Sequence, residues 1–191
     1  MPLGPFPTLA DFTDFWVTLP QLYGLSIIYV VIDKTRPATT EDPDGELAGM
    51  ISFIRTSQTH LSTEIGGVLI LPDFHRTHVA SNAAGLMLRA ALAREDEGGM
   101  GMRRVQWLTS TENGASLKLA KRLGFQEEGV MRWHMVFRGG KEKGKVGNGR
   151  GMPKGGEEGD LGRDTIVLSV CWEDWEGGTD ENVDAVMKRG L

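Results

Sequence analysis

Apolar residues first recur at Leu9, Phe12, Phe15, Trp16 and Leu19, three and four apart, which predicts a helix that Pro20 ends. The period then shortens. GLSIIYVVIDK is an Ile- and Val-rich run of strand length, and TRPATTEDPDG behind it carries turn residues. ELAGMISFIR and LSTEIGGVLILP predict a second and a third strand in an antiparallel meander. Gly66 and Gly67 inside the third predict a bulge or a close backbone approach. From 76 to about 94 the apolar positions Val79, Ala83, Leu86, Met87, Ala90 and Ala91 return to a helical period, and the glycines of EDEGGMGM end it. RRVQWLTS predicts a short strand. NGASLKLAKRLGF predicts a helix with Asn113 as N-cap and Gly124 as C-cap. VMRWHMVF and RDTIVLSVCWEDW are the last two strands, able to pair as a long hairpin. The order helix, three strands, helix, strand, helix, two strands predicts an α/β (α+β) fold, a central mixed sheet flanked by helices.

Composition changes this picture little. At 191 residues the chain suits a single domain, and its net charge of -5 without a basic block argues against a nucleic-acid surface. The one cysteine, Cys171, excludes an intrachain disulfide and a Cys-rich zinc site. The start MPLGPFPTLADF lacks a basic and an apolar leader region, and LYGLSIIYVVI is too short to span a bilayer, so a soluble, cytoplasmic protein with no membrane partner is expected. Residues 139–162, dense in glycine and charge, read as a mobile hairpin insertion, with a lid over a site as the alternative. Residues 176–191 read as a tail with a short surface helix.

One turn breaks the usual electrostatic rule. Helix N-termini favour carboxylates, yet PDFHRTHVASNAAGLML offers Arg76 and His78, with no acid between Asp73 and Glu95. An external anion would complete it. There is no GxxxxGK[ST] loop, and GGMGMRR lacks the strand-glycine-helix context of a dinucleotide site, so ATP and NAD are poorly supported. A strand ending at Pro72, a loop with Arg76 and free helix amides can hold a pyrophosphate. His75, His78 and Asp73 lack a further ligand cluster, and no metal is expected.

Taken with EIGGVLILP, TENGASLKLAKRLGFQEEG and RDTIVLSVCWEDW in that order, the loop resembles the GCN5-related N-acetyltransferases, in the branch of the ribosomal-protein alanine acetyltransferases. The likeness covers about residues 25–138 and 163–175. In that family a Q/R-x-x-G-x-G/A loop binds the pyrophosphate of acetyl-CoA through backbone amides. The matching run here is Arg76, Thr77, His78, Val79, Ala80 and Ser81, with Val79 at the glycine position and Ser81 at the final Gly/Ala. The family begins with a strand and helix that this chain does not show, so a missing or shortened edge, or one completed by a second subunit as a homodimer, is expected.

The resemblance also implies roles. The strand at Val68, Leu69, Ile70 and Leu71 would bind the pantetheine arm of acetyl-CoA, with an amide near Leu69 or Ile70 facing the thioester oxygen. Glu64 would be the general base, its alternative being an ordinary strand carboxylate, with Glu112 a weaker substitute. Asn113 would contact pantetheine and Ser116 would serve the sulfur and its proton, since the only tyrosines, Tyr23 and Tyr29, lie too early for the family's usual acid. Lys118, Lys121 and Arg122 are either phosphate contacts or routine exposed helix residues. The implied activity is acetyl transfer from acetyl-CoA to a primary amine, on a small molecule or a peptide N-terminus, in a ternary complex. A degenerate acyl-CoA-binding sensor or interaction module, and a structural domain without coenzyme, stay open.

Overall fold

The computed structural model describes residues 6–38, 40 and 43–189. Part of the predicted turn region, the end of the tail and the side chain of Leu19 lie outside the described residues. Helix α1, Leu9–Tyr23, opens with a capping box in which Asp11 N–H donates to Thr8 Oγ1 at 3.1 Å and Thr8 N–H donates to Asp11 Oδ2 at 3.0 Å. It runs past Pro20 and stops at Gly24, where φ is +70°. The proline removes only one donor near the helix end, so the predicted stop moves to the glycine.

Six strands follow the helix into one sheet: β1 (Leu25–Asp33), β2 (Glu46–Ser57), β3 (Ser62–Ile70), β4 (Arg104–Ser110), β5 (Gln126–Phe137) and β6 (Leu161–Cys171). Their spatial order is β1-β2-β3-β4-β6-β5, antiparallel at every junction except β3 with β4, which is parallel. The meander and the terminal hairpin therefore form as predicted. Helix α2 (Val79–Leu92) makes the crossover from β3 to β4, and α3 (Gly114–Arg122) leads from β4 to β5.

Strand alternation assigns the two faces. Ile51, Phe53, Ile65, Val105, Trp107, Ile166, Leu168 and Val170 are buried together with Ala84 and Leu88 of α2 and Ala120 of α3. Met50 and Ile54 of β2 instead pack on Phe12, Phe15 and Trp16 of α1, on the opposite face. Glu64, Arg163, Thr165 and Ser169 hold the alternate positions and share that second face.

The C-terminus departs from expectation. The strand ends at Cys171, one turn of helix α4 (Trp172–Asp174) follows, and a kink at Gly178 (φ +115°) leads into α5 (Asp180–Lys188). This last helix is a core element: Val183 is wholly buried, Val186 is 6 % exposed, and Gly85 of α2 lets Val183 and Met187 approach its backbone. At the other end of the sheet β1 is an edge strand that exposes Leu25, Ile27 and Val30.

Across β6, Arg104 of β4 donates both Nη groups to Glu128 of β5 at 2.6 Å each, and Ser169 Oγ donates to Glu128 Oε1 at 2.7 Å. The Arg104 hydrogen bonds, against desolvation and with help from Ser169, pull the Glu128 carboxyl down to about 2. Because the folded value lies below the unfolded one, this clamp stabilises the fold fully above the ordinary carboxylate range and is lost as pH falls through about 2. Glu128→Gln should lower stability at pH 7 by about 1 kcal/mol, discounted for the partial exposure of the pair. Denaturant melts of both proteins at pH 7 and pH 2 check this, and a gap that does not shrink in acid would refute it.

Candidate active site

Strands β3 and β4 pair only from Ser62 to Glu64 against Arg104 to Gln106, although β3 continues to Ile70 and β4 to Ser110. Beyond that short ladder the strands part. Each stays held on its outer side, β3 by β2 as far as Ile70 and β4 by β6 as far as Ser110. A cavity of about 490 Å³ fills the fork, lined by Gly66, Gly67 and Val68 on one arm and Trp107 to Ser110 on the other.

Three irregularities surround this opening, each with a residue at positive φ. Gly67 (φ +60°) sits where the register of β3 on β2 slips between Gly66 and Leu69. The predicted bulge is therefore present, and a Cβ there would meet Ser52 Oγ at 3.0 Å and the Trp16 ring at 3.2 Å. Arg55 (φ +53°) lies in the slip between Ile54 and Ser57, and Trp133 (φ +54°) in the slip between Met131 and Met135. Bulges re-aim side chains, and here they bring Arg55 and His134 to the cavity.

On the α1 face the ionisable groups gather around Glu64, which is 4 % exposed and hydrogen-bonded to Arg55 Nη1. Burial pushes the Glu64 carboxyl above its ordinary range, and the opposing pull of Arg55, then of Arg163 and Gln106, does not cancel it. His134 Nδ1 lies 3.0 Å from Thr165 Oγ1, a contact that fixes the ring beside the cavity. Burial, then the positive fields of Arg163 and Arg55, hold this imidazole below its usual value, so it is neutral at pH 7. Arg163, 6 % exposed, directs Nη1 to Met135 Sδ at 3.4 Å.

On the α2 and α3 face, Asn113 caps α3, its Oδ1 accepting from Ser116 N–H at 3.2 Å. Ser116 Oγ accepts from Trp107 Nε1 at 2.9 Å. Both Asn113 and Ser116 line the cavity, so the opening passes through the sheet from one face to the other.

Of the residues singled out by sequence, the cavity unites Glu64, Val68, Asn113 and Ser116. Leu69, Ile70 and Leu71 continue along the β3 arm beyond its lining. So does the run Arg76, Thr77, His78, Val79, Ala80 and Ser81, which turns into α2 with Arg76 at φ +64°. Val79 N–H donates to Thr77 Oγ1 at 3.3 Å, and among the described residues no protein acceptor reaches the amides of Ala80 and Ser81. The first turn of α2 carries no acid of its own, as expected, but an acid from elsewhere in the chain stands beside it. Asp33, at the end of β1, places Oδ1 3.4 Å from His78 Nε2. Burial raises the Asp33 carboxyl, but hydrogen bonds from Thr35, then the pull of His78, hold it below its ordinary value. His75 Nε2 lies 2.9 Å from the Ile70 carbonyl oxygen. Among the described residues no group of three or more His, Cys, Asp or Glu side chains is placed to hold a metal. None of their helices is long and apolar enough to cross a membrane.

The glycine-rich segment, residues 139–162, is tied at both ends. Asp160 accepts from Gly139 N–H at 2.8 Å and from Arg138 Nη1 at 2.6 Å. Asp164 accepts from Trp133 N–H, Asn148 Nδ2 and Arg150 Nη2, each at 2.8 Å. Between these ties, residues 143–146 line the cavity. Sequence reasoning missed His134 and Arg163 as site residues, and it reached Arg55, Lys143 and Lys145 only as members of the loops 55–62 and 139–162 expected to select the substrate. The alternation of β6 was the one usable signal, because Ile166, Leu168 and Val170 keep one parity and Arg163, Thr165 and Ser169 the other.

The six-stranded mixed sheet with one parallel junction that opens into a fork matches the fold of the GNAT acetyltransferases. An acetyltransferase (GNAT) domain model matches residues 7–126, and the chain belongs to that family. It is 33 % identical over 94 residues to the uncharacterised N-acetyltransferase YoaA of Bacillus subtilis (strain 168), covering 49 % of this chain and 50 % of that protein. The match thus spans about half the length of that curated relative. A GCN5-related N-acetyltransferase from Brucella melitensis superimposes with a TM-score of 0.70 at 24 % identity, over 100 % of this chain and 73 % of its own. Mycobacterium smegmatis RimJ, solved with CoA-disulfide, does so at 0.64 and 16 % identity, over 97 % and 75 %. At those identities the two structures speak for the fold alone.

The Trp107 to Ser116 bond generates a prediction. Trp107 is 3 % exposed, so Ser116→Ala leaves an indole N–H without its acceptor and should cost about 1–2 kcal/mol in a denaturant melt. Adding Trp107→Phe should recover part of that loss. Equal stability of Ser116→Ala and the unaltered protein would show that the bond contributes nothing.

Proposed function

We propose that the protein is an acetyl-CoA-dependent N-acetyltransferase acting on a primary amine by direct transfer in a ternary complex. The observation that carries this reading is the cavity in the fork, which is lined both by Asn113 and Ser116 at the start of α3 and by Glu64 and His134 of the sheet. Such a cavity lets a thioester enter from the helix face and an amine from the α1 face, holding the reacting atoms together.

On this reading the pantetheine arm lies along Val68, Leu69, Ile70 and Leu71 as an added strand, where β3 has no partner from β4. A β3 amide near Leu69 or Ile70 stabilises the oxyanion. The amides of Ala80 and Ser81, with Arg76, receive the pyrophosphate, and Asp33 leaves His78 to contribute its backbone. Ser116 Oγ, oriented by Trp107, passes a proton to the departing thiolate. Glu64, directly or through water, removes the proton of the attacking ammonium, and its raised affinity for protons suits a base working near neutrality. His134 is a second base within the same cavity. Likeness to the ribosomal-protein alanine acetyltransferase branch makes peptide N-termini one acceptor class beside small amines. A second reading, coenzyme binding without turnover, is favoured by the grip of Arg55 on Glu64, which opposes its use as a base.

Calorimetry with acetyl-CoA decides first. Binding that weakens about tenfold or more in Arg76→Ala supports the coenzyme site, since a charge-assisted contact is worth about that factor. No binding at millimolar coenzyme would sink the reading. In turnover assays Glu64→Gln should lower kcat by a factor of roughly 10²–10⁴. A base must be deprotonated, so kcat/KM should fall as pH drops through the raised pKa of Glu64, and Glu64→Gln should abolish that limb. Survival of the limb in Glu64→Gln and its loss in His134→Asn would move the role to His134. Binding without turnover on any amine would select the second reading.

A further inference from the structure

We propose that Asp164 is a positioning residue of the acceptor site: its one buried carboxylate holds both the β5 bulge that presents His134 and residues 139–162, which form a fixed wall of the cavity and not a lid. The inference rests on the N-acetyltransferase reading and names what shapes its acceptor side.

The first argument is that the segment is built, although its composition reads as mobile. A Cβ at Gly162 would lie 2.5 Å from the Trp133 ring, and one at Gly147 would lie 3.0 Å from Leu161 Cβ. Here glycine serves close approach of the backbone. Backbone bonds continue the order. Lys141 N–H donates to the Gly159 carbonyl at 3.0 Å, Lys145 N–H to that of Gly140 at 2.8 Å, and Asn148 N–H to that of Gly162 at 2.8 Å. A segment closed on itself and on β6 in this way is ordered before any ligand arrives.

Asp164 joins that order to the sheet. It is 5 % exposed, and its Oδ1 accepts from Trp133 N–H and Asn148 Nδ2 while Oδ2 accepts from Arg150 Nη2. The bond from Trp133, then that from Asn148, holds the carboxyl below its ordinary value, so at pH 7 it is charged and purely an acceptor. Trp133 stands at positive φ inside the β5 slip, and His134 is the next residue. One carboxylate therefore sets both the aim of His134 and the height of the segment.

Placement decides which ligand the wall meets. Leu161 and Arg163 are two apart on β6 and share a face, the α1 face that also carries Glu64. Gly147 packs on Leu161, so the segment returns over that face, and residues 143–146 line the cavity. The Ala80 and Ser81 amides belong to α2, which covers the opposite face. The wall thus shares its face with Glu64 and the acceptor, apart from the pyrophosphate. Attack needs the amine within about 3–3.5 Å of the thioester carbon, so a wall displaced by about 1 Å lowers acceptor use steeply.

The test uses the full chain. Asn148→Ala with Arg150→Gln frees the segment and leaves the Trp133 bond, Asp164→Ala frees both, and Asp164→Asn keeps one acceptor oxygen as the conservative rescue. Arg150 is exposed, so the double variant should keep the melting temperature even if Asp164→Ala does not fold. The segment offers trypsin five sites, Lys141, Lys143, Lys145, Arg150 and Lys154. In the unaltered protein they should be cut slowly, at a rate that acetyl-CoA changes by less than about twofold, and in the double variant about tenfold faster. Turnover is read on spermidine, tyramine, lysine and a peptide with a free N-terminal alanine. For any of these amines that is acetylated, the double variant should raise KM about tenfold with kcat and the acetyl-CoA dissociation constant within about twofold. Asp164→Ala should lower kcat as well, and Asp164→Asn should restore most of it. Rapid cutting of the unaltered protein that acetyl-CoA suppresses would make the segment a lid and overturn the proposal. An unchanged amine KM in the double variant would overturn it too, as would a loss of acetyl-CoA affinity, which would put the segment at the coenzyme. Coenzyme binding with none of these amines acetylated removes the acceptor wall alone, whereas failure to bind acetyl-CoA removes both readings.

Discussion

The whole arrangement depends on a parallel ladder three residues long. β3 and β4 occupy the centre of a six-stranded sheet, where a buried backbone group without a partner is costly. Yet they pair only as far as Glu64 and Gln106. Beyond that point each keeps its partner on the outer side only: β2 follows β3 to Ile70, and β6 follows β4 to Ser110. The two halves of the sheet are therefore separate ribbons joined at a hinge of three residue pairs. Because α2 and α3 start from the free ends of β3 and β4, every functional feature of the helix face is placed by how far the ribbons diverge. A strand edge left open in this way is a template for an extended polar ligand.

The left-handed residues turn this opening into a site. A non-glycine residue at positive φ is uncommon, and Arg55, Arg76 and Trp133 all stand next to the fork or its continuation. Arg55 carries its guanidinium to Glu64, and the bulge at Trp133 is fixed by the bond from its N–H to Asp164. Asp164 in turn holds Asn148 and Arg150, so the strand irregularity that presents His134 and the ties that position the long connecting segment share one carboxylate. The segment's placement over the cavity is consequently coupled to the shape of the sheet beneath it.

This explains what could be read from the chain. The sheet, the meander and the helix caps at Asn113 and Gly124 follow from hydrophobic period and from residues whose backbone preference is visible in their identity. The bulge at Gly67 was legible for the same reason: two glycines within a strand have few other uses. The bulges at Arg55 and Trp133 were not, because nothing in an arginine or a tryptophan signals positive φ. With them went His134 and the pairing of Arg55 with Glu64. Asp33 escaped notice through distance in sequence, since it meets His78 only after the meander has brought β1 beside the start of α2. The tail misled differently. Val183 and Val186 are too few for a clear apolar face, and only the small Gly85 opposite them makes a packing site.

Glu64 shows how these levels join. Its neighbour Ile65 is 1 % exposed on the core side, which fixes the strand and turns Glu64 to the other face. There burial opposes its charge and Arg55 supports it, and burial prevails. A carboxylate balanced between those forces responds strongly to a third charge, so a ligand that alters the field from Arg55 or Arg163 also alters how firmly Glu64 holds a proton. An acidic group bound near Arg163 would offset part of that positive field and raise the proton affinity of Glu64 further. A cationic group would do the reverse. Any charge bound in the cavity and the proton affinity of Glu64 are thus two aspects of one electrostatic balance, set by the fork that brings Arg55, Arg163 and Glu64 to the same cavity.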